Sequence, residues 1–278
     1  MPDNYIDLIY CDVLYNTGRK FKYYDDNLGT PQQAINWYNP RLIEIKRVLK
    51  QTGSIYIHCD YRLCHYLKIE MDRIFNENNF RNEIIWKRDA VGKGGKKLSN
   101  QWSRELDNIL LYSKSEQMYF NQLYKTKDEL TYTQLKEFRY SEQNGRKYKI
   151  VTLGQYSNES IEKMKQQNLI HITSTGKEYK KYYLDEFKLA IGSLWDDISN
   201  LSHGKNPETY GYETQKPKKL LNRIIEASSR QGDIVADFFM GSGTTGEVAL
   251  ELGRKFIGCD IGERACEITK ERLDKIII

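Results

Sequence analysis

The strongest chemical signal in the chain is Asp237–Gly246, DFFMGSGTTG. Gly241 and Gly243 permit a sharp turn and let backbone amides approach a ligand closely. Ser242, Thr244 and Thr245 can cap a following helix and offer hydroxyls to a carboxylate or phosphate. Beyond the loop, the apolar run Lys255–Asp260 closes on Asp260, whose carboxylate suits ribose hydroxyls. Many nucleotide-binding folds use such a turn. Gly241–Gly246 itself spells GxGxxG, so this turn alone does not separate a dinucleotide site from other nucleotide sites, whereas GxxxxGK[ST] is absent, which disfavours a P-loop reading.

These residues need a scaffold, and the hydrophobic pattern supplies one. Ile6–Cys11 (IDLIYC) reads as a buried strand running into Asp12, and Ser54–Cys59 (SIYIHC) as a second closed by Asp60. Helical spacing over Asn36–Lys50 and Tyr61–Phe75 alternates with them, and Glu83–Lys87 is a third strand. Asn108–Tyr112 is strand-like, but from about residue 114 to 190 no clean period appears. Near the C-terminus, helices are expected at Lys216–Ser229, Gly246–Leu252 and Glu263–Ile276, with strands at Asp233–Phe239 and Lys255–Asp260. The expected fold is α/β: a Rossmann-like sheet, mixed but mostly parallel, built from residues 1–87 and 191–278. Residues 88–190 are expected to form an insert.

Charge marks the same insert. The chain carries a net charge of +5, yet Trp86–Lys188 holds 20 Lys/Arg against 13 Asp/Glu while the remainder is slightly acidic. A basic segment of this kind suits a polyanion, and on charge alone a solvated lysine-rich loop region reads equally well. Lys87, Arg88, Lys93, Lys96 and Lys97 are the candidate phosphate contacts. The five cysteines show no CxxC pair and no zinc-like spacing, so no metal site is expected, and His58 and Asp60 read as structural. No signal peptide or apolar run of membrane-spanning length is visible, so a reduced cytoplasm without membrane attachment is the expected compartment.

The glycine loop, preceded by Tyr212–Asp233 (YETQKPKKLLNRIIEASSRQGD), resembles the cofactor half of β-class amino-methyltransferases acting on DNA. The likeness is greatest to modification subunits of type III systems and their type II relatives. It continues in DLIYCDVLYNTG, GSIYIHCDYRLCHYLKIEMDRIF, FRNEIIWKR and SLWDDI, covering both ends of the chain.

The resemblance implies an S-adenosylmethionine-dependent enzyme that methylates N6 of an adenine flipped out of double-stranded DNA. The cofactor-contacting set would be Asp237, Phe239, Met240, Gly241, Ser242, Gly243, Thr244, Thr245 and Asp260, with Lys216 near the methionine carboxylate. The catalytic tetrapeptide would be Asp12-Val13-Leu14-Tyr15. In that scheme Asp12 and the Val13 carbonyl accept the two amine hydrogens and Tyr15 stacks on the base, a contact worth roughly 1–3 kcal/mol. An initial aspartate rather than serine is the adenine-type form.

Two departures stand out. Val13 and Leu14 replace a Pro-Pro pair that restricts the backbone in the family, and looser geometry can slow positioned chemistry on the order of 100-fold. Only Met1–Tyr5 precede the catalytic strand, where relatives carry a further cofactor-contacting segment. The rival readings are a weakly active or non-catalytic DNA-binding homologue or partner subunit, and an N4-cytosine enzyme. A homodimer or a restriction partner would accompany a modification subunit.

Overall fold

A computed structural model describes residues 1–89, 100, 102–201 and 208–277. The chain divides into a larger unit, Met1–Asn121 with Gly192–Ile278, and a smaller one, Gln122–Ile191. The basic residues Lys93, Lys96 and Lys97 lie outside the described residues.

The larger unit is built on seven strands: β1 (Ile6–Asp12), β2 (Leu49–Cys59), β3 (Phe80–Lys87), β4 (Leu106–Ser113), β5 (Leu194–Trp195), β6 (Ile234–Asp237) and β7 (Lys255–Gly258). Their order across the sheet is β5-β3-β4-β2-β1-β6-β7. Every pairing is parallel except those of β4, which runs antiparallel to both β2 and β3. This is the mixed, mostly parallel sheet that the pattern predicts. β1 lies inside the sheet, and Ile6, Leu8, Ile9, Tyr10 and Cys11 are all buried on it. A strand covered on both faces reads as an unbroken apolar run, which is how IDLIYC appears in the sequence.

Among the described residues, five helices accompany this sheet: α1 (Pro31–Val48), α2 (Cys64–Phe75), α3 (Lys218–Ser228), α4 (Thr244–Glu251) and α5 (Glu263–Ile277). α1 begins five residues before the apolar spacing suggests. Thr30 caps it, the Gln33 side chain reaches back to the Thr30 backbone, and Pro31 takes the first helical position. α1 then buries Ala34, Ile35, Tyr38, Leu42 and Ile45.

The smaller unit has a four-stranded antiparallel sheet, in the order Ile170–Ile172, Glu178–Tyr183, Lys147–Thr152, Tyr140–Ser141, with the helix Asn158–Gln166. It begins at Gln122, not at residue 88 where the insert was expected to begin. The run NILLY belongs to β4, paired from Ser54↔Ser113 to Cys59↔Asn108, so the chain returns to the main sheet before leaving it. Strands this short and tyrosine-rich carry little periodic signal. No helix among the described residues is long and apolar enough to cross a membrane.

The SLWDDI segment closes the β3 edge. Trp195 pairs with Trp86, whose indole N–H donates to the Ile198 carbonyl at 2.7 Å. Asp197 accepts both forks of Arg223 on α3, at 3.0 and 2.6 Å. Arg223 is buried, so removing Asp197 strands its charge. Asp197→Leu should therefore destabilise the fold by about 3 kcal/mol. Urea unfolding followed by circular dichroism reads this directly, and a midpoint unchanged from wild type would contradict it.

Candidate active site

The sheet places two aspartates side by side. β1 is flanked by β2 on one side and β6 on the other, with Leu8↔Val235 and Ile9↔Ala236 in register. In open α/β sheets ligands bind outside the carboxyl ends of the strands, where connections diverge. Asp12 ends β1 and Asp237 ends β6, and both line a cavity of about 930 Å³.

The chain leaving β1 is held at each step. Val13 N–H donates to the His58 carbonyl at 3.1 Å, extending the parallel ladder beyond Asp12. The Tyr38 hydroxyl of α1 donates to the Leu14 carbonyl at 2.8 Å. Asn16 adopts a left-handed conformation, φ 54°, and its N–H donates to the buried carboxylate of Asp26 at 3.0 Å. Asparagine tolerates that conformation better than most side-chain-bearing residues.

Around Asp12 the polar groups form one connected set. The Tyr15 hydroxyl lies 3.0 Å from Asp12 Oδ1 and 3.4 Å from Asp107 Oδ2. Lys216 Nζ makes an ion pair with Asp12 Oδ2 and lies 5.4 Å from the centre of the Tyr15 ring. His58, fully buried on β2, has Nε2 3.3 Å from Asp107 Oδ2 and Nδ1 2.8 Å from the Tyr10 hydroxyl. Burial pushes the Asp107 carboxyl up, but the hydrogen bond and charge of His58, with Arg88 and Lys216, outweigh it and hold the group below the usual carboxylate range. Tyr15 and Tyr10 hydroxyls are raised well above the ordinary tyrosine range, chiefly by burial and then by nearby carboxylates, so both keep their protons at neutral pH.

The glycine loop forms the opposite wall. Gly243 has φ 75°, and a Cβ there would come within 2.6 Å of the Thr269 side chain, so glycine is required on two grounds. The loop hydroxyls serve the loop itself. Thr245 Oγ1 donates to Asp237 Oδ2 at 2.6 Å, and Thr244 Oγ1 donates to the Lys216 carbonyl at 3.2 Å. Ser242 is buried, its carbonyl accepting from Arg272 at 3.1 Å. Asp260 holds the loop from outside: Oδ2 accepts Gly241 N–H and Oδ1 accepts Gly262 N–H, each at 2.9 Å. Phe239 and Met240 line the cavity, Phe239 lying 6.2 Å from both Trp37 and Tyr38 on α1.

The structure thus brings Asp12, Val13, Leu14, Tyr15, Lys216, Asp237, Phe239, Met240, Gly241, Ser242, Thr244, Thr245 and Asp260 to one cavity, with Gly243 beneath its loop. Arg88 turns toward Asp107, Nε lying 3.4 Å from Oδ1, and donates to the Arg104 carbonyl. Lys87 ends β3 as a half-buried residue. Sequence reasoning missed Asp107 and Tyr38. A charged residue opening an apolar strand run was the available signal for Asp107. For Tyr38 there was none, since a tyrosine on the apolar face of a helix reads as core. Cys259, within the expected strand Lys255–Asp260, is exposed just past the end of β7.

A sequence profile for the N6/N4 methylases, described as DNA methylase, matches residues 6–271. The type II methyltransferase M.EcaI of Enterobacter cloacae is 30% identical over 91% of this chain and 61% of its own length. The probable type III restriction-modification HindVI Mod subunit of Haemophilus influenzae is 27% identical over 98% of this chain and 48% of its own. The chain thus spans about half to three-fifths of the length of these curated relatives. Among solved structures, the putative DNA modification methylase TTHA0409 of Thermus thermophilus, complexed with S-adenosyl-L-methionine, superposes with a TM-score of 0.56 at 16% identity, covering 100% of this chain and 88% of that one.

Two outcomes follow from this geometry. Val13→Pro would delete the N–H that satisfies the His58 carbonyl. It should cost about 1–3 kcal/mol in urea unfolding, and a gain in stability would contradict the ladder reading. The Asp237 carboxyl is pushed up to about 7, by burial first, against the opposing Thr245 and Phe239 hydrogen bonds, with the charges of Asp12 and Asp260 adding to the rise. Between the ordinary carboxylate value and about 7 the native state binds a proton that the unfolded chain has released, so this group's contribution to stability falls as pH rises through that window. The Asp237→Asn variant should show a flatter stability profile between pH 4 and 7, by about 4 kcal/mol. Parallel profiles for wild type and variant would refute the assignment.

Proposed function

This chain belongs to the N6/N4 DNA methylase family, and from that premise we propose that it moves a methyl group from S-adenosylmethionine to N6 of an adenine swung out of duplex DNA. The observation that carries the reading is the meeting of Asp12 and Tyr15 with the glycine loop at one cavity on adjacent strand ends.

The cavity suits that cofactor by the chemistry of its donors. The Asp260 carboxylate keeps lone pairs for ribose hydroxyls after accepting two amides, and the neighbouring Ile261 is 99% exposed, an apolar face beside an acceptor. Phe239 adds a second apolar wall, and the ammonium of Lys216 suits a carboxylate. Met240, Gly241 and Ser242 give the backbone rim, with Asp237, Gly243, Thr244 and Thr245 holding its shape. When bound, S-adenosylmethionine supplies an electrophilic methyl group on a sulfonium.

The protein's part is capture and orientation. Asp12 accepts one N–H of the adenine amine and the Val13 carbonyl the other, which leaves the nitrogen lone pair directed into the cavity. Tyr15 offers its ring face to the flipped base, a contact of roughly 1–3 kcal/mol that helps offset unstacking. Asp12 is also the acceptor placed to take the proton released when the amine gains its methyl group. An aspartate at this position, as the family resemblance implies, favours adenine over cytosine. We assign target recognition to the basic segment 88–190, including the smaller unit, with Lys87, Arg88, Lys93, Lys96 and Lys97 toward phosphates. We also propose that a restriction subunit or a second copy of the chain accompanies it.

The test is transfer of labelled methyl to unmethylated genomic DNA, with the product nucleosides separated. N6-methyladenine is the expected product. Asp12→Ala should lower transfer at least about 100-fold while calorimetric affinity for the cofactor is retained. Transfer untouched by that substitution would sink the mechanism, and N4-methylcytosine as product would move the acceptor.

A further inference from the structure

We infer that Asp107 is a positioning residue that takes over the Tyr15 hydroxyl when Asp12 engages its target. This rests on the reading of Asp12 and Tyr15 given above. Tyr15 has one hydroxyl hydrogen and two carboxylate neighbours, Asp12 Oδ1 at 3.0 Å and Asp107 Oδ2 at 3.4 Å. A single O–H satisfies one strong acceptor at a time. Without the base, the shorter contact ties Tyr15 to Asp12, whose other oxygen is paired with Lys216. An amine arriving at Asp12 competes for Oδ1. If the hydroxyl had nowhere else to turn, gaining the amine would loosen the ring that must stack on the same base.

Asp107 removes that conflict, and its setting shows an unusual investment in holding a carboxylate there. It sits on β4 opposite Trp86, 1% exposed, where an apolar side chain would meet no desolvation penalty. Its Oδ1 makes no hydrogen bond, although Arg88 Nε faces it at 3.4 Å. Its Oδ2 does the connecting, with His58 Nε2 at 3.3 Å and Tyr15 at 3.4 Å. His58 is fixed in turn from its other side, Nδ1 lying 2.8 Å from the Tyr10 hydroxyl, which serves as donor when Nε2 carries the proton toward Asp107. The tether is therefore anchored in the sheet, while Asp12 stands at the cavity. A rotation of the Tyr15 O–H from Asp12 to Asp107 leaves the ring plane where it is and returns a lone pair to Asp12.

A double-mutant cycle on the full chain tests this. In single-turnover transfer to unmethylated genomic DNA, Asp107→Leu should slow the chemical step by about 10- to 100-fold and leave calorimetric cofactor affinity unchanged. In a Tyr15→Phe background, which keeps the ring but lacks the hydroxyl, the same substitution should cost no more than about twofold. Asp107→Asn, whose amide oxygen can still accept, should retain most of the rate. Losses that multiply across the cycle would overturn the inference, because they would make Asp107 a structural residue independent of Tyr15. If Asp107→Leu does not fold, Asp107→Ser repeats the cycle with a side chain too short to reach Tyr15. A second readout needs no turnover: with unmethylated duplex DNA and S-adenosylhomocysteine bound, 3-fluorotyrosine at position 15 should give one narrow fluorine line in the wild type and a broadened or split line in Asp107→Leu. Absence of transfer by the wild type would refute the proposed function. An unchanged fluorine line would refute the tether whether or not transfer occurs.

Discussion

Everything at this site depends on the parallel pairing of Ile6–Asp12 with a neighbour on each side. Parallel strands end on the same edge, so the pairing of β1 with β2 and β6 brings Asp12, His58 and Asp237 to one place without any local motif linking them. The register is strict because β1 is buried on both faces, where a slip of one residue would move every apolar side chain. The antiparallel β4 adds Asp107 to the same edge from the opposite chain direction. A carboxylate on a sheet interior is tolerable there because it meets an imidazole and a guanidinium. The geometry of the cavity is thus a property of strand register before it is a property of loops.

The loop after β1 shows how a backbone can be fixed without proline. The resemblance implies a Pro-Pro pair at this turn, whereas here Val13 and Leu14 leave both torsions free in principle. The structure removes that freedom from outside. The Val13 N–H, which a proline would lack, continues the ladder to the His58 carbonyl, and Tyr38 holds the Leu14 carbonyl. Asp26 gathers the amides of Asn16 and Thr17 below them. Each bond has a net worth of roughly 1 kcal/mol, yet together they restrict consecutive residues, and that is what positioned chemistry requires. The looseness expected from the sequence is therefore a feature of the isolated tetrapeptide, not of the tetrapeptide in its fold.

What the sequence revealed follows the same division. The strands and helices of the larger unit were legible because burial writes its period into the chain, as in IDLIYC and SIYIHC. Gly243 was legible because its conformation and the contact with Thr269 both demand glycine. The roles of the loop hydroxyls were not legible. Thr244 and Thr245 looked like ligand donors, and the fold directs them to Lys216 and Asp237. A hydroxyl carries no sign in sequence of whether it faces inward or outward. The start of the smaller unit was missed for a related reason: β4 is separated from β3 by a basic, glycine-rich stretch, so its return to the sheet is a long-range event with no local cue. The Arg223 pairing that explains SLWDDI is equally non-local.

The strand ends also set an electrostatic bias. Asp12, Asp237 and Asp260 line one cavity, and their mutual repulsion adds to burial in holding a proton on Asp237. Lys216 offsets part of this by pairing with Asp12, and its own carbonyl is tied to Thr244, so the cation is anchored at the glycine loop while its charge reaches the opposite wall. A ligand that carries both a cationic centre and a carboxylate answers both halves of the arrangement. Its positive charge would relieve the repulsion among the aspartates, and its carboxylate would compete with Asp12 for Lys216. Were Lys216 drawn away, Asp12 would lose its cation and keep the Tyr15 hydroxyl. The two walls of the cavity are thus linked through a single lysine, which pairs with Asp12 through its ammonium and with Thr244 through its carbonyl.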